Sequence, residues 1–291
     1  VRFSHLAERG MEKTMAQRSA PGTNGKIRIG AVTYLNARPL VFSLPWVSSR
    51  FEVIIDLPSR LADALSRGDL DVAMIPSIEY ARCSDYSIIS DACIACDGPV
   101  RSVKLYGRVP VEEIRTLALD EGSRTSAALT RILLKERFGI WPETRPLPIG
   151  ASADDVPADA VLLIGDRGML PASEAFEFEW DLGEQWRQWT GLPFVFAMWI
   201  ARPDVDLTGV AEMLAAARDD GMTRLDVIAH EAAPTIGVSE EECFIYLRDH
   251  LEFFLGIRQR QAVDRYFQLA GKNGLAPQDV ALRFYDDSNV R

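Results

Sequence analysis

The sequence has only three histidines, four cysteines and no long apolar run, and each shortage removes a class of function. The histidines are His5, His230 and His250, and none follows a strand-like segment. A Ser-His-Asp or Cys-His centre needs an imidazole beside its nucleophile, so neither is expected. A histidine-based metal site is not expected either. The cysteines are Cys83, Cys93, Cys96 and Cys243, too few in 291 residues for a disulfide framework. The close pair Cys93-Ile-Ala-Cys96 has redox or zinc spacing, but no second pair or histidine lies near it. Both thiols read as buried groups that behave as small apolar residues. The densest apolar run, 192–201, is ten residues and contains Pro193, well short of the ~18 that suggest a membrane helix. Positive charge is scarce too: 32 Lys+Arg against 42 Asp+Glu give a net charge of −10. A nucleic-acid binder normally shows a basic face, so that class is disfavoured. An anionic ligand would need a locally positive pocket in this acidic chain.

Hydrophobic residues make up 47% of the chain and charged residues 25%, an ordinary globular mix with material for a core. At roughly 150 residues per domain the length suggests about two domains. Residues 1–25 are polar, end in Ser, Pro, Gly and Asn, and contain no apolar signal core. They read as a disordered extension, and the cytoplasm is the default compartment. From Lys26 strand-like runs at 26–31, 51–56, 72–75, 102–107, 116–119, 160–164 and 194–201 alternate with helical patterns. One helix is expected over 59–67, capped by Ser59 and stopped by Gly68. Another is expected over 126–138, with Leu129, Ile132 and Leu133 on one face and Gly139 at its end. Such alternation predicts α/β architecture with mostly parallel sheets. Beyond Ala201 the pattern is almost purely helical, at 210–219, 223–233 and 259–270. In the last, Ala262, Val263, Tyr266, Phe267 and Ala270 form one core-facing stripe. Residues 251–255 fit strand or helix equally.

In open α/β sheets ligands bind beyond the carboxyl ends of strands, so the residues following each strand are the candidates. After the first strand, Asn36 is a good helix N-cap with Pro39 in the first turn, and it also offers an amide beside Arg38. After the third comes Ser77, again a cap or a ligand contact. Asp97-Gly98-Pro99-Val100-Arg101-Ser102 is a turn feeding a strand. Gly122-Ser123-Arg124-Thr125-Ser126 has the most chemical content. It opens a helix and offers N–H groups, three hydroxyls and a guanidinium, a setting for phosphate or carboxylate, although it lacks P-loop spacing. Asp166 stands at another strand end, and Thr190-Gly191 forms a turn before the long apolar strand. The candidate binding residues are therefore Ser77, Gly98, Ser123, Arg124, Thr125, Ser126, Asp166, Thr190 and Gly191. No metal ligands emerge.

Seven segments, in order, carry a resemblance. They are Tyr-Leu-Asn-Ala-Arg-Pro-Leu at 34–40, Arg-Gly-Asp-Leu-Asp-Val at 67–72, Pro-Ser-Ile-Glu-Tyr at 76–80 and Cys-Asp-Gly-Pro-Val-Arg-Ser at 96–102. Ser-Arg-Thr-Ser at 123–126, Leu-Ile-Gly-Asp at 163–166 and Trp-Thr-Gly-Leu-Pro-Phe-Val-Phe-Ala at 189–197 complete the set. The ordered set resembles the menaquinone-biosynthesis family of the futalosine pathway, and within it the chorismate-dehydrating branch. It spans about residues 26–200; the remainder has weaker motifs.

The resemblance implies a two-lobed, periplasmic-binding-protein-like fold of type II with the ligand cleft between lobes. Lobe one would be 26–104 plus 194–291, and lobe two 105–193. It implies loss of water from chorismate to give 3-[(1-carboxyvinyl)oxy]benzoate without metal or organic cofactor, the small molecule being the only implied partner. Asn36 and Ser102 map to implied catalytic residues, and Ser123, Thr125 and Ser126 to implied carboxylate binding. The role of Arg38 stays open, because members differ there. A non-catalytic solute-binding protein of the same fold is one alternative, but it would be expected to carry an export signal or anchor cysteine. The enzyme of the same pathway that forms 1,4-dihydroxy-6-naphthoate is another. Its members carry a Ser-Pro-Cys-Pro-Asn-like opening and a catalytic histidine, which residues 30–40 lack. A ligand-sensing regulatory domain is a third, disfavoured by the net charge and the want of a DNA-binding segment.

Overall fold

The computed structural model describes residues 25–44, 50–83, 85–171, 175–203 and 205–285. The expected N-terminal extension therefore lies outside the described residues, apart from Gly25. Eleven strands among the described residues form two sheets. The first sheet contains β1 (Ile27–Val32), β2 (Phe51–Asp56), β3 (Val72–Pro76), β4 (Ser87–Cys96), β10 (Phe194–Ala201) and β11 (Glu252–Phe254), in the order β11-β4-β10-β3-β1-β2. The second contains β5 (Val103–Gly107), β6 (Thr116–Asp120), β7 (Glu143–Leu147), β8 (Ala160–Ile164) and β9 (Phe178–Asp181), in the order β7-β6-β8-β5-β9. The chain passes from the first sheet to the second through residues 97–102 and returns through 191–193.

The sheets are mixed rather than mostly parallel. β1 runs parallel to β2 and β3, and β6 parallel to β7 and β8. β10 is antiparallel to β3 and β4, and β5 to β8 and β9. β5 and β10 are the strands entered from the other sheet, so they start from the cleft side, where the parallel strands end. Strand–helix alternation carries no information about such crossings. All eight residues of β10 are buried, as expected of a continuous apolar strand covered on both faces. Residues 251–255, ambiguous in sequence, supply the edge strand β11.

The helices are α1 (Arg38–Val41), α2 (Pro58–Arg67), α3 (Ser77–Ala81), α4 (Arg124–Phe138), α5 (Leu182–Thr190), α6 (Val210–Met222), α7 (Leu225–Ile236), α8 (Glu240–Ile245) and α9 (Ile257–Lys272). Gly68 and Gly139 end α2 and α4 in the left-handed conformation, φ +80° and +73°. Two expected caps are displaced. Leu57, not Ser59, precedes α2, whose first turn begins with Pro58. Asn36 caps nothing: it lies inside a 3-10 turn, Leu35–Ala37, that runs into α1, with Pro39 in the first turn of that helix. All five residues of the expected stripe on α9 are buried. Cys93 and Cys96 are fully buried on β4, and burial pushes both thiols well above their ordinary range.

Candidate functional site

The segments that follow β1, β6 and β8 converge with the end of β3 and the start of β10 on a cavity between the two sheets. Its empty space, counting the open mouth, is about 460 Å³. Tyr34 and Asn36 line it from β1, Ser123 and Ser126 from the start of α4, Gly165 from β8, and Val100 and Ser102 from the crossing segment. Apolar walls come from Val32, Ile94, Ile164 and Phe196. Among the described residues lining it there is no Asp, Glu, His, Lys or Arg.

Ser102 is held on three sides. Its N–H donates to Val100 O at 2.8 Å, closing a three-residue turn around Arg101, whose φ is +63°. A non-glycine residue in that region is strained, and such strain persists only where the surroundings enforce it. Here the Asp181 carboxylate accepts Val100 N–H at 2.9 Å and Arg101 N–H at 2.5 Å. The same carboxylate caps α5 by accepting Glu184 N–H at 3.1 Å. On another side Gly168 packs so closely that a Cβ there would lie 2.5 Å from Ser102 O. Behind the cavity wall, the buried Tyr246 donates its phenol hydrogen to Ser102 Oγ at 2.8 Å. Tyr246 opens the single π-helical turn that follows α8. Asn36 Oδ1, itself shielded from solvent, has no protein partner.

The start of α4 is a different kind of polar surface. Ser123 caps the helix, accepting Ser126 N–H at 3.3 Å, and the two hydroxyls lie 3.0 Å apart. The first-turn N–H groups of the helix have no intrahelical partners, and the positive end of its dipole faces the same way. No lysine or arginine among the described residues lines this acidic protein's cavity, so the favourable potential at the wall comes from these oriented dipoles.

Several sequence candidates lie elsewhere. The Arg124 guanidinium is committed to carboxylates of the first sheet's helices: Asp63 on α2 at 2.8 and 2.9 Å, and Glu79 on α3 at 3.4 Å. Thr125 is fully buried; its Oγ1 accepts Ile78 N–H at 3.2 Å and lies 3.3 Å from Ser77 Oγ. Ser77 in turn donates to Val195 O at 2.9 Å. Arg124, Thr125 and Ser77 thus join α4 to the first sheet rather than line the cavity. The Gly98 carbonyl packs against Gly183, where a Cβ would come within 2.5 Å of it. Thr190 Oγ1 donates to Trp186 O at 2.8 Å and accepts Leu192 N–H at 3.2 Å, and Gly191 ends α5 with φ +72°. These three shape the crossing segments.

Asp166 is next to the cavity-lining Gly165 and accepts Leu35 N–H at 3.0 Å, tying β8 to the turn that carries Asn36. Burial raises its carboxyl above the ordinary range, against that hydrogen bond and the charge of Arg38. Arg38 is shifted the other way, lowered chiefly by its own burial. Tyr34 fits between the two sheets because Gly122 and Gly165 leave room. A Cβ on Gly122 would meet the Tyr34 hydroxyl at 2.8 Å, and one on Gly165 its ring at 2.8–2.9 Å. Asp120, fully buried beneath them, accepts from Arg167 at 2.5 Å and from Gly122 N–H at 2.9 Å. Burial is still the largest influence on it and raises its carboxyl.

Sequence reasoning missed Tyr246 and Asp181. Tyr246 lies 144 positions from Ser102 in a helical region, and the strand-end rule carries no signal for it. Asp181 had one available signal, an aspartate immediately before a helical pattern.

Comparison with known proteins places this geometry. Residues 27–272 match the family model described as menaquinone biosynthesis. The chain belongs to the menaquinone biosynthesis family. A chorismate dehydratase of Thermus thermophilus is 31% identical over 245 residues, covering 77% of this chain and 89% of that one. The fold is periplasmic-binding-protein-like. A structural-genomics protein of Archaeoglobus fulgidus superimposes with TM-score 0.67 at 16% identity, over 87% of this chain and all of the other. The periplasmic aliphatic sulphonate binding protein SsuA of Escherichia coli gives 0.62 at 15% identity, over 90% of this chain and 92% of that one. Of the seven family motifs, all but the one at 67–72 contribute residues to the cavity wall.

Proposed function

We propose that this family member is a chorismate dehydratase, a hydro-lyase that converts chorismate to 3-[(1-carboxyvinyl)oxy]benzoate. The observation that carries the reading is the composition of the cavity wall. It presents Asn36 and Ser102 with Ser123 and Ser126 on an apolar surface, and among the described lining residues no titratable base apart from the Tyr34 phenol. The identity to the Thermus enzyme supports the same substrate. In this reading the two sheets act as lobes, 26–104 with 194–291 and 105–193, and the protein works in the cytoplasm on a small molecule alone.

Chorismate carries two carboxylates. The hydroxyls and first-turn N–H groups of α4 suit one of them. The reaction breaks the ring C3–H bond, whose electron pair becomes part of the aromatic ring. The C4–O bond breaks with its pair on oxygen, which takes a proton and leaves as water. A base is needed at C3. Asp97 is taken by Arg187 at 2.5 Å and Arg258 at 2.7 Å, Glu79 by Arg82 and Arg124, and Asp120 by Arg167. Substrate carboxylates would also drive any neighbouring protein carboxylate toward its neutral form. The enolpyruvyl carboxylate of chorismate is already tethered near C3, and an oriented intramolecular base gains a large effective concentration. It therefore takes the proton, while Asn36 and Ser102 address the C4 hydroxyl and the arm.

The test is incubation of purified protein with chorismate, followed by chromatography for the benzoate product. Conversion is expected, and it should survive in folded Asp97→Asn, Glu79→Gln, Asp120→Asn and Asp166→Asn proteins. Tight binding of chorismate without product would assign the protein to the solute-binding class instead. A folded carboxamide variant that binds but has lost turnover would identify a protein base.

A further inference from the structure

From the hydrogen bond behind the cavity wall we infer that Tyr246 is a positioning residue that fixes the polarity of Ser102, making it a donor toward the ligand in the wall where Asn36 offers an open acceptor. The inference rests on the proposed dehydratase reading and deepens it.

Tyr246 is 1% exposed and does not line the cavity, so it acts only through its neighbours. Its phenol donates to Ser102 Oγ at 2.8 Å. A hydroxyl that accepts a hydrogen bond at its oxygen still has its own proton to give. The Ser102 backbone is pinned by the strained turn at Arg101 and by Gly168, so that proton's remaining outlet is the cavity. Asn36 lines the same cavity as Ser102, and its Oδ1 is an acceptor. It is shielded from solvent and has no partner in the protein. A buried acceptor left unmade is costly, so this oxygen marks a place where a ligand donor belongs.

The order is therefore Tyr246 O–H to Ser102 Oγ and Ser102 O–H to the ligand, with Asn36 Oδ1 as the open acceptor in the same cavity wall. Burial holds the phenol in its protonated form, so it keeps the hydrogen this order requires. A secondary alcohol such as the C4 hydroxyl matches both ends: its hydrogen goes to Asn36 Oδ1 and its oxygen accepts from Ser102. As the C4–O bond breaks, negative charge gathers on that oxygen and the Ser102 bond strengthens. Stabilisation that grows toward the transition state acts on kcat rather than KM. The π-helical turn supports the assignment, because such turns recur where a side chain must be re-aimed at a functional site.

The test is a cycle of wild type, Tyr246→Phe, Ser102→Ala and the double variant, each assayed with chorismate, with product affinity measured by calorimetry. Tyr246→Phe removes one oxygen and leaves the ring. It should fold, lower kcat roughly 5- to 100-fold, and change KM by less than about threefold. Its affinity for the benzoate product, which has no C4 hydroxyl, should stay within about threefold of wild type. In the Ser102→Ala background the same change should have almost no further effect on kcat, because the two groups act as one unit. An unaltered kcat in Tyr246→Phe overturns the inference. So does an equal loss in both backgrounds, a parallel fall in product affinity, or failure of Tyr246→Phe to fold, which would assign the hydroxyl to stability. Failure of the dehydratase reading itself appears separately, as a wild-type protein that does not convert chorismate.

Discussion

Two neighbours on α4 separate the binding and structural roles of hydroxyls at one helix start. Ser126 faces the cavity, whereas Thr125, one position earlier, is buried against Ser77 and Ile78 N–H. Ser126→Ala removes a hydroxyl from a wall that receives a carboxylate. A hydrogen bond to a charged group is worth about 1.5–3 kcal/mol, so product affinity should fall roughly 10- to 150-fold with little change in melting. Thr125→Ala leaves Ile78 N–H without its acceptor and should cost about 1–3 kcal/mol of stability, read as a lower denaturant midpoint. Unchanged affinity in Ser126→Ala would show that the helix start is not the anion site. The sequence pattern Ser-Arg-Thr-Ser could not distinguish these residues, since all four offer donors beside a helix N-terminus. Only the positions of Asp63 and Glu79, 61 and 45 residues away, show why Arg124 turns from the cavity.

Elements were legible where their physics is local. β2, β8 and β10 are apolar runs with clear punctuation, and their ends match the expected ones to the residue. β4 was not legible, because Ser90 and Asp91 interrupt the apolar pattern, and Asp91 is satisfied by Arg218 at 2.7 Å from α6. β7 was missed because it is an edge strand with mostly exposed polar residues, and β9 because it is only four residues long. The crossing segment read as a turn from Asp97-Gly98-Pro99, but its rigidity comes from Asp181, about 80 residues away. Replacing that carboxylate with alanine removes the cap of α5 and leaves Val100 and Arg101 N–H unpaired. Asp181→Ala should therefore cost about 2 kcal/mol or more in urea unfolding. It should also lower turnover by loosening the turn that presents Ser102. A variant as stable as wild type would mean that Arg101 holds its left-handed conformation without this support.

At the scale of the whole molecule, the two sheets meet through Tyr34, Asp166 and the Arg124 ion pairs, and the cavity occupies the same seam. The strand-end rule located that seam from sequence alone, because it follows from chain direction rather than from side-chain detail. Asp166 makes the seam pH-dependent. Burial raises its folded-state value, so folding favours its neutral form. Its contribution is complete below the unfolded aspartate value of about 3.9 and is lost as pH rises through the raised folded value. The amide that replaces the carboxyl in the Asp166→Asn protein cannot ionise. Thermal melts across that window should therefore show the variant gaining on wild type as pH increases, and parallel curves would contradict the shift. The central claim is that this cleft orients chorismate so that the substrate supplies its own base. The most direct measurement compares chorismate with an analogue whose enolpyruvyl carboxylate is an amide, each titrated by calorimetry and then assayed for loss of water. Both should bind and only chorismate should be converted. Conversion of the amide at a comparable rate, or binding of chorismate with no conversion, would contradict the account.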